Sequence, residues 1–110
     1  MRNITRDDIN KDKQDYVKGD ILVMSIDWLH GKYKEGKYQL YVCNGSGFGC
    51  SSTTVGRAIF GQFLYDFESV RIDRGGDVLG VLSYDTLKEL TQDKDNAWIK
   101  ENYEKIMKEE

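Results

Sequence analysis

A glycine-rich stretch from Asn44 to Arg57, NGSGFGCSSTTVGR, interrupts the apolar runs of this chain and carries four of its eleven glycines. Glycine permits positive φ and a close approach of the backbone to another group. Consecutive turn-forming residues can also aim several N–H groups into one concavity, which suits an anion. The stretch is therefore either a binding loop or an irregular crossover that needs glycine for steric reasons, and the sequence leaves both interpretations open.

The candidate binding residues of this stretch are glycines, hydroxyl side chains, one phenylalanine and one arginine: Gly45, Ser46, Gly47, Phe48, Gly49, Ser51, Ser52, Thr53, Thr54 and Arg57. No Gly-Lys-Ser/Thr follows, so the stretch is not a Walker A loop. A β-branched segment follows instead of a helix, which argues against a dinucleotide fingerprint. A looser anion nest or a protein-contact loop remains. Phe48, between two glycines, is either a core anchor or an exposed contact residue.

Length and composition predict one folded domain over residues 1–110. It divides into a polar leader at 1–19, a β-sheet region at 20–82 and a helical region at 83–110. The net charge is −3, and the excess lies in the last region, which has eight acids and five bases. Because a general nucleic-acid binder usually carries a basic stripe, we expect a protein or a small molecule as the partner rather than nucleic acid.

The apolar runs also predict where the protein resides. The first ten residues lack the apolar segment of a signal peptide. The run Ile21–Met24 is far too short to span a bilayer. We therefore expect a cytoplasmic protein that does not bind membranes. Cys43 and Cys50 would then be reduced, although a pairing between them stays open.

Short apolar and alternating runs predict about five strands. They cover residues 20–29, 37–43, 57–65, 69–73 and 78–82. The first two runs predict one hairpin, and the pair Gly75-Gly76 predicts another between the last two. Residues 55–67 also fit a helical stripe. A strand is preferred there because Gly56 and Gly61 would each cost a helix about 1 kcal/mol relative to alanine.

Helices are predicted at both ends of the chain. Thr5 is a candidate N-cap for a short helix over residues 6–13. Two C-terminal helices are expected, with N-caps at Ser83 or Asp85 and at Asp93 or Asp95. The apolar stripe of the last helix consists of Trp98, Ile99, Tyr103, Ile106 and Met107. We expect Trp98, Ile99, Tyr103 and Ile106 to be mostly buried. The predicted fold is α+β: a curved antiparallel sheet or small open barrel with one or two C-terminal helices packed on it.

The residue types that usually carry catalysis are scarce. The chain has one histidine, His30, and two cysteines. Acid–base catalysis usually needs a group that titrates near neutral pH, and the acids here lie on polar segments where little would shift their pKa values. His30, Cys43 and Cys50 are too scattered for a zinc site. We therefore expect a protein that is not an enzyme and needs no metal or cofactor.

Three short motifs resemble a pattern in small, mostly uncharacterised proteins of bacterial phages and conjugative elements. They are GFGC at 47–50, GRAIF at 56–60 and RIDRGGDVLGV at 71–81. The resemblance spans roughly residues 37–82 and brings no assigned catalytic residues. It implies an accessory protein of a mobile element, a class that includes inhibitors of host defence.

These observations support two functions. The first is a non-enzymatic protein that inhibits a host defence protein by stoichiometric contact. The alternative is a small-molecule binder that sequesters a nucleotide or another phosphate-bearing signal in residues 45–57. Such a binder could be a monomer or a homo-oligomer. Direct nucleic-acid binding through Arg57, Arg71 and Arg74 is the weakest hypothesis, because acidic residues balance these bases.

Overall fold

The computed structural model describes residues 4–12, 16–25, 38–45, 54–55, 58–73 and 78–108. These residues form one seven-stranded sheet and two α-helices. The strands are β1 (Ile9–Asn10), β2 (Ile21–Ser25), β3 (Tyr38–Cys43), β4 (Thr54–Val55), β5 (Ala58–Phe63), β6 (Ser69–Asp73) and β7 (Val78–Leu82), and the helices are α1 (Tyr84–Leu90) and α2 (Ala97–Lys108). The predicted α+β fold is confirmed. The strands beyond the five expected are the two-residue β1 and β4.

Every strand pairing in the sheet is antiparallel, and the strand order is β1-β7-β2-β3-β5, followed by β6. On β5, the pairs with β6 run from Ala58 to Gln62 and occupy one edge of the strand. The pairs Tyr41↔Phe63 of β3 and Thr54↔Ile59 of β4 must therefore share the other edge. The seven strands thus fill six positions, with β6 at one margin of the sheet and β1 at the other.

One predicted hairpin is confirmed and the other is wrong. β2 and β3 pair from Ile21↔Val42 to Ser25↔Tyr38, as expected. β6 and β7 do not pair, because β6 lies against β5 while β7 lies between β1 and β2. Gly75 and Gly76 are outside the described residues. The local Gly-Gly turn signal thus did not predict the strand pairing, because β7 pairs with the edge of β2 instead of with β6.

Both faces of the central hairpin are buried. Successive residues of a strand point to opposite faces, and Ile21–Met24 is at most 2% exposed throughout. One face packs with both helices in a cluster that includes Ile21, Val23, Leu40, Val42, Leu87, Leu90, Ile99 and Ile106. The opposite face forms a second cluster of Leu22, Met24, Tyr41, Cys43, Ile59, Phe63 and Ile72. The strand assigned to residues 55–67 is confirmed as β5 between Ala58 and Phe63.

Tyr41 ties the second cluster together across three strands. Its ring lies over Gly61 of β5, where an added Cβ would overlap the Val42 carbonyl and lie 2.9 Å from two ring carbons. Its hydroxyl donates to the Val70 carbonyl of β6 at 2.5 Å and more weakly to the Ile59 carbonyl at 3.4 Å. Burial raises the pKa of the Tyr41 hydroxyl far above its usual range. The hydroxyl is therefore a neutral structural donor.

Both predicted C-terminal helices form, but α2 begins at Ala97, so neither Asp93 nor Asp95 directly precedes it as the predicted N-cap. The Ser83 hydroxyl accepts the Thr86 N–H at 3.1 Å, which caps α1. On α2, Ile99 and Ile106 are fully buried in the first cluster. The rest of the predicted stripe, Trp98, Tyr103 and Met107, packs against the margin of that cluster and is more exposed than Ile99 and Ile106, which still agrees with the expectation that Trp98 and Tyr103 are mostly buried. Residues that flank the centre of an apolar stripe meet the edge of the surface on which the helix packs.

The helix predicted over residues 6–13 is wrong. Thr5 donates its N–H to the Asp8 carboxylate at 2.8 Å, but only a single 3-10 turn, Arg6–Asp8, follows. Ile9 then enters β1, pairs with Leu82 and is buried. Because a short helix with one apolar residue could bury little surface, pairing with β7 stabilises this segment more than local helix propensity does.

Candidate binding surfaces

Two of the ten candidate residues of the glycine-rich stretch, Gly45 and Thr54, lie in the described part of the chain. The other eight, Ser46, Gly47, Phe48, Gly49, Ser51, Ser52, Thr53 and Arg57, lie outside the described residues. The choice between a buried and an exposed Phe48 therefore stays a prediction, as does any anion nest in residues 46–53.

Both ends of the stretch are anchored on neighbouring residues of β5. Gly45 has a φ of 78° and donates its N–H to the Phe60 carbonyl at 3.0 Å. Thr54 begins β4 and pairs with Ile59. Gly45 and Thr54 therefore contact adjacent positions of one strand, Phe60 and Ile59. The Gly45 amide is already used within the protein and is not offered to an anion.

A short polar network stabilises the point where the stretch leaves β3. Asn44 is 5% exposed and donates its side-chain amide to the Gln62 side-chain oxygen at 2.8 Å. Gln62 in turn donates to the Phe67 carbonyl at 2.7 Å. Phe67 has a φ of 61°, a conformation that few residues other than glycine adopt. The network thus connects the base of the stretch to the strained turn between β5 and β6.

A second surface, which we call the tyrosine groove, lies along α2. It is an open, largely apolar depression of about 630 Å³ lined by Tyr84, Tyr103, Glu104, Met107 and Lys108. The ring centroids of Tyr84 and Tyr103 are 5.4 Å apart. The Tyr103 hydroxyl donates to the Gly19 carbonyl at 2.9 Å, which connects α2 to the turn before β2.

The turn before β2, which contains Gly19, also carries an exposed valine. Among the described residues, the exposed large hydrophobic side chains are Val17, which is 55% exposed, and Tyr84, which is 37% exposed. The turn is closed by hydrogen bonds between Val17 and Asp20, with the Val17 N–H donated to the Asp20 carboxylate at 2.9 Å. Gly19, inside this turn, faces the Met107 methyl group and the Tyr103 hydroxyl. Val17 is two residues before Gly19, whose carbonyl accepts the Tyr103 hydrogen bond.

Two charged side chains, Glu104 and Lys108, line the tyrosine groove, and the hydrogen bonds described here belong to Glu104. The Tyr84 hydroxyl donates to its carboxylate at 2.7 Å, and Lys100 lies 3.6 Å away. The Tyr84 hydrogen bond, and then Lys100, lower the pKa of Glu104, and the same hydrogen bond raises the pKa of Tyr84. Burial raises the pKa of Tyr103. At neutral pH the groove therefore presents two neutral aromatic hydroxyls and one carboxylate, with the Lys108 side chain also in its lining.

Sequence reasoning did not identify this groove. Tyr103 and Met107 were expected only as core residues of α2, and Tyr84 and Glu104 were not selected at all. The hydrogen bond between Tyr84 and Glu104 joins residues 20 positions apart on different helices. The one signal in the sequence is the excess of acids in residues 83–110, which does not show which acid meets an aromatic surface.

The remaining candidates concern catalysis, metals and membranes. Cys43 is fully buried in β3, while His30 and Cys50 lie outside the described residues. Within the described ranges, no group of three or more His, Cys, Asp or Glu side chains is arranged to hold a metal ion. None of the helices in those ranges has both the length and the apolar character needed to cross a bilayer.

Comparisons with protein-family models, with curated proteins and with solved structures found no match. The resemblance to proteins of phages and conjugative elements therefore stays a prediction from the motifs at 47–50, 56–60 and 71–81.

Proposed function

We propose that this chain is a non-enzymatic binding protein of a phage or mobile element, which inhibits a host defence protein by stoichiometric contact. The observation that carries the binding role is the tyrosine groove, in which Tyr84 presents a partly exposed ring beside Tyr103. Tyrosine is enriched among the residues that dominate protein–protein binding energy, because it buries a large ring at little cost in conformational entropy.

The chemistry of the groove indicates the kind of surface that it accepts. The apolar floor formed by Tyr84, Tyr103 and Met107 suits an apolar side chain of the partner. Glu104 stays ionised beside it, and residues 83–110 carry eight acids and five bases. A basic residue next to the apolar anchor would complement this charge and favour association with the correct partner. We therefore propose a partner surface with an exposed apolar side chain bordered by Lys or Arg.

The identity of the partner as a host defence protein is proposed from the sequence motifs alone. Inhibition by contact needs a preorganised surface and no reacting group. The groove is built on two helices that the first core cluster holds against the sheet, which supplies that rigidity. We expect the target's activity to fall in proportion to added protein and to reach its minimum at a fixed molar ratio.

A photo-crosslinking experiment tests the proposal. A photoreactive amino acid is placed at Tyr84 in the host bacterium, with the exposed Lys94 as a control position. The protein captured at Tyr84 but not at Lys94 is then purified and titrated with the parent chain. Tyr84→Ala should weaken binding by about tenfold or more, whereas Tyr84→Phe retains the ring and should bind nearly as well as the parent.

Two results would contradict the proposal. One is equal binding by Tyr84→Ala and the parent. The other is turnover of a substrate at substoichiometric amounts of the protein, which would show an enzyme. The nucleotide-binding alternative is tested in parallel by native mass spectrometry of the purified protein, in which a co-purified nucleotide or phosphate compound would favour the alternative.

A further inference from the structure

We infer that two copies of this chain pair through the outer edge of β6, with Arg71 of each copy opposite Asp73 of the other. This contact is separate from the tyrosine groove and does not depend on the proposed inhibitory role. It makes the protein a two-fold symmetric dimer with one sheet continued across the interface.

The first observation is that β6 is an edge strand. Among the described strands it pairs only with β5. The Phe63 N–H donates to the Glu68 carbonyl at 3.1 Å, which shows that Phe63 and Glu68 are a hydrogen-bonded pair. Such pairs alternate along an antiparallel ladder, so Val70 and Ile72 turn their backbone groups toward β5. The backbone groups of Arg71 and Asp73 therefore face away from the sheet.

The second observation is the exposure and charge of these two residues. Their side chains are 66% and 73% exposed. Ile72, between them, belongs to the second core cluster, and Val70, before Arg71, packs against that cluster. In the single chain Arg71 and Asp73 form an ion pair with 3.3 Å between Nη2 and Oδ1. Within the described ranges, the outer edge of β6 thus presents ladder positions that no other strand pairs, bordered by one positive and one negative side chain.

The charge pattern selects one register for a second copy. In an antiparallel pair of β6 strands with Ile72 opposite Ile72, Arg71 of each copy lies opposite Asp73 of the other. Both of these are outward-facing residues, so each Arg71–Asp73 pair can exchange two backbone hydrogen bonds. Directly opposite side chains share a face of the sheet, and opposite charges there are favourable. A register centred on Arg71 would instead place two arginines together, which is unfavourable.

This register also satisfies the symmetry of a closed dimer. A two-fold interface uses the same patch on both copies, and β6 is complementary to itself because Arg71 and Asp73 are equally spaced about Ile72. The four charges alternate in sign across the interface. Since the cross-strand ion pairs are exposed to solvent, salt should weaken the association.

Sedimentation equilibrium of the full-length parent chain at increasing concentration is the test. We expect a reversible monomer–dimer equilibrium at concentrations below about 1 mM, weaker at high salt. Arg71→Asp alone and Asp73→Arg alone place like charges opposite each other, and each should weaken dimerisation by about tenfold or more. The double variant Arg71→Asp/Asp73→Arg restores the opposite-charge pairs and should dimerise like the parent. Thermal melting of each variant shows that it is folded.

Three results would overturn the inference. The first is a parent chain that stays monomeric across this range. The second is a folded single reversal that dimerises as well as the parent. The third is a double variant that fails to recover the association. The last outcome is the most specific, because the charge swap keeps the composition of the edge and changes only which residue carries which sign.

Discussion

Replacing Gly61 with alanine tests the most constrained point of the sheet. At this position of β5 an added Cβ would overlap the Val42 carbonyl and lie 2.9 Å from two carbons of the Tyr41 ring. The carbonyl belongs to the neighbouring strand and cannot rotate away. To make room, β3 and β5 must separate locally, and the Tyr41 ring must leave its place over β5.

The size of the effect can be worked from these contacts. Overfilling a packed core costs about 1–3 kcal/mol. Loss of the Tyr41 hydrogen bond to the Val70 carbonyl adds about 1–2 kcal/mol. The smaller conformational entropy of alanine in the unfolded chain returns about 0.4–1 kcal/mol. The net destabilisation is about 3 kcal/mol, which for 110 residues lowers the melting temperature by about 13 °C at an unfolding entropy of about 2.1 cal/mol/K per residue.

The assay is thermal and urea denaturation of the parent, Gly61→Ala, Tyr41→Phe and the double variant. Tyr41→Phe removes the hydroxyl but keeps the ring, so it should cost about 1–2 kcal/mol. The double variant should cost less than the sum of the two single changes, because both lose the same hydrogen bonds. The exposed Glu68→Ala is the control, expected within about 0.5 kcal/mol of the parent. A Gly61→Ala protein that melts within about 3 °C of the parent would refute the reasoning.

Three further predictions concern the helices and the glycine-rich stretch. Trp98→Ala should destabilise the protein by about 2 kcal/mol, less than the roughly 3–5 kcal/mol of a fully buried tryptophan, because Trp98 is only partly buried; a loss as large as that of a core residue in urea denaturation would contradict this. The pKa of Glu104, followed by NMR, should lie below its usual value and rise in Tyr84→Phe. The ionised Glu104 carboxylate makes a small contribution to stability, which is present above the unfolded-state pKa and is lost as pH falls through the folded-state pKa. If the glycine-rich stretch is a binding site, Phe48→Ala and Arg57→Ala should weaken partner or ligand binding with little change in melting temperature. If Phe48 is instead a core anchor, its replacement should lower stability by a few kcal/mol. Full binding by the double variant would exclude the stretch as a site.

Periodicity in the sequence was sufficient for most individual elements. The strands predicted at 69–73 and 78–82 match β6 and β7, and Ser83 caps α1 as expected. These patterns are local, because the alternation of apolar residues and the capping serine act within a few residues of one another. The preference for a strand at 55–67 was correct for a related reason, since Gly56 and Gly61 disfavour a helix wherever the segment is placed.

The candidate site was less accessible from the sequence. The glycine-rich stretch could be selected from composition, and its described ends at Gly45 and Thr54 are anchored side by side on β5. The tyrosine groove could not be selected, because Tyr84 and Glu104 meet only when α1 and α2 pack on the sheet. Tyr103, which the sequence places in the apolar stripe of α2, is partly exposed because it lines this groove.

The sequence by itself therefore determined the five longer strands, the two C-terminal helices and the α+β class that follows from their order. The tertiary structure alone decided which strands are neighbours: β7 pairs with β1 and β2 rather than with β6, and Ile9 joins the sheet instead of a helix. Strand pairing is a contact between distant residues, so its free energy depends on which edge and which buried face are available elsewhere in the fold. Turn signals such as Gly75-Gly76 carry no information about that edge.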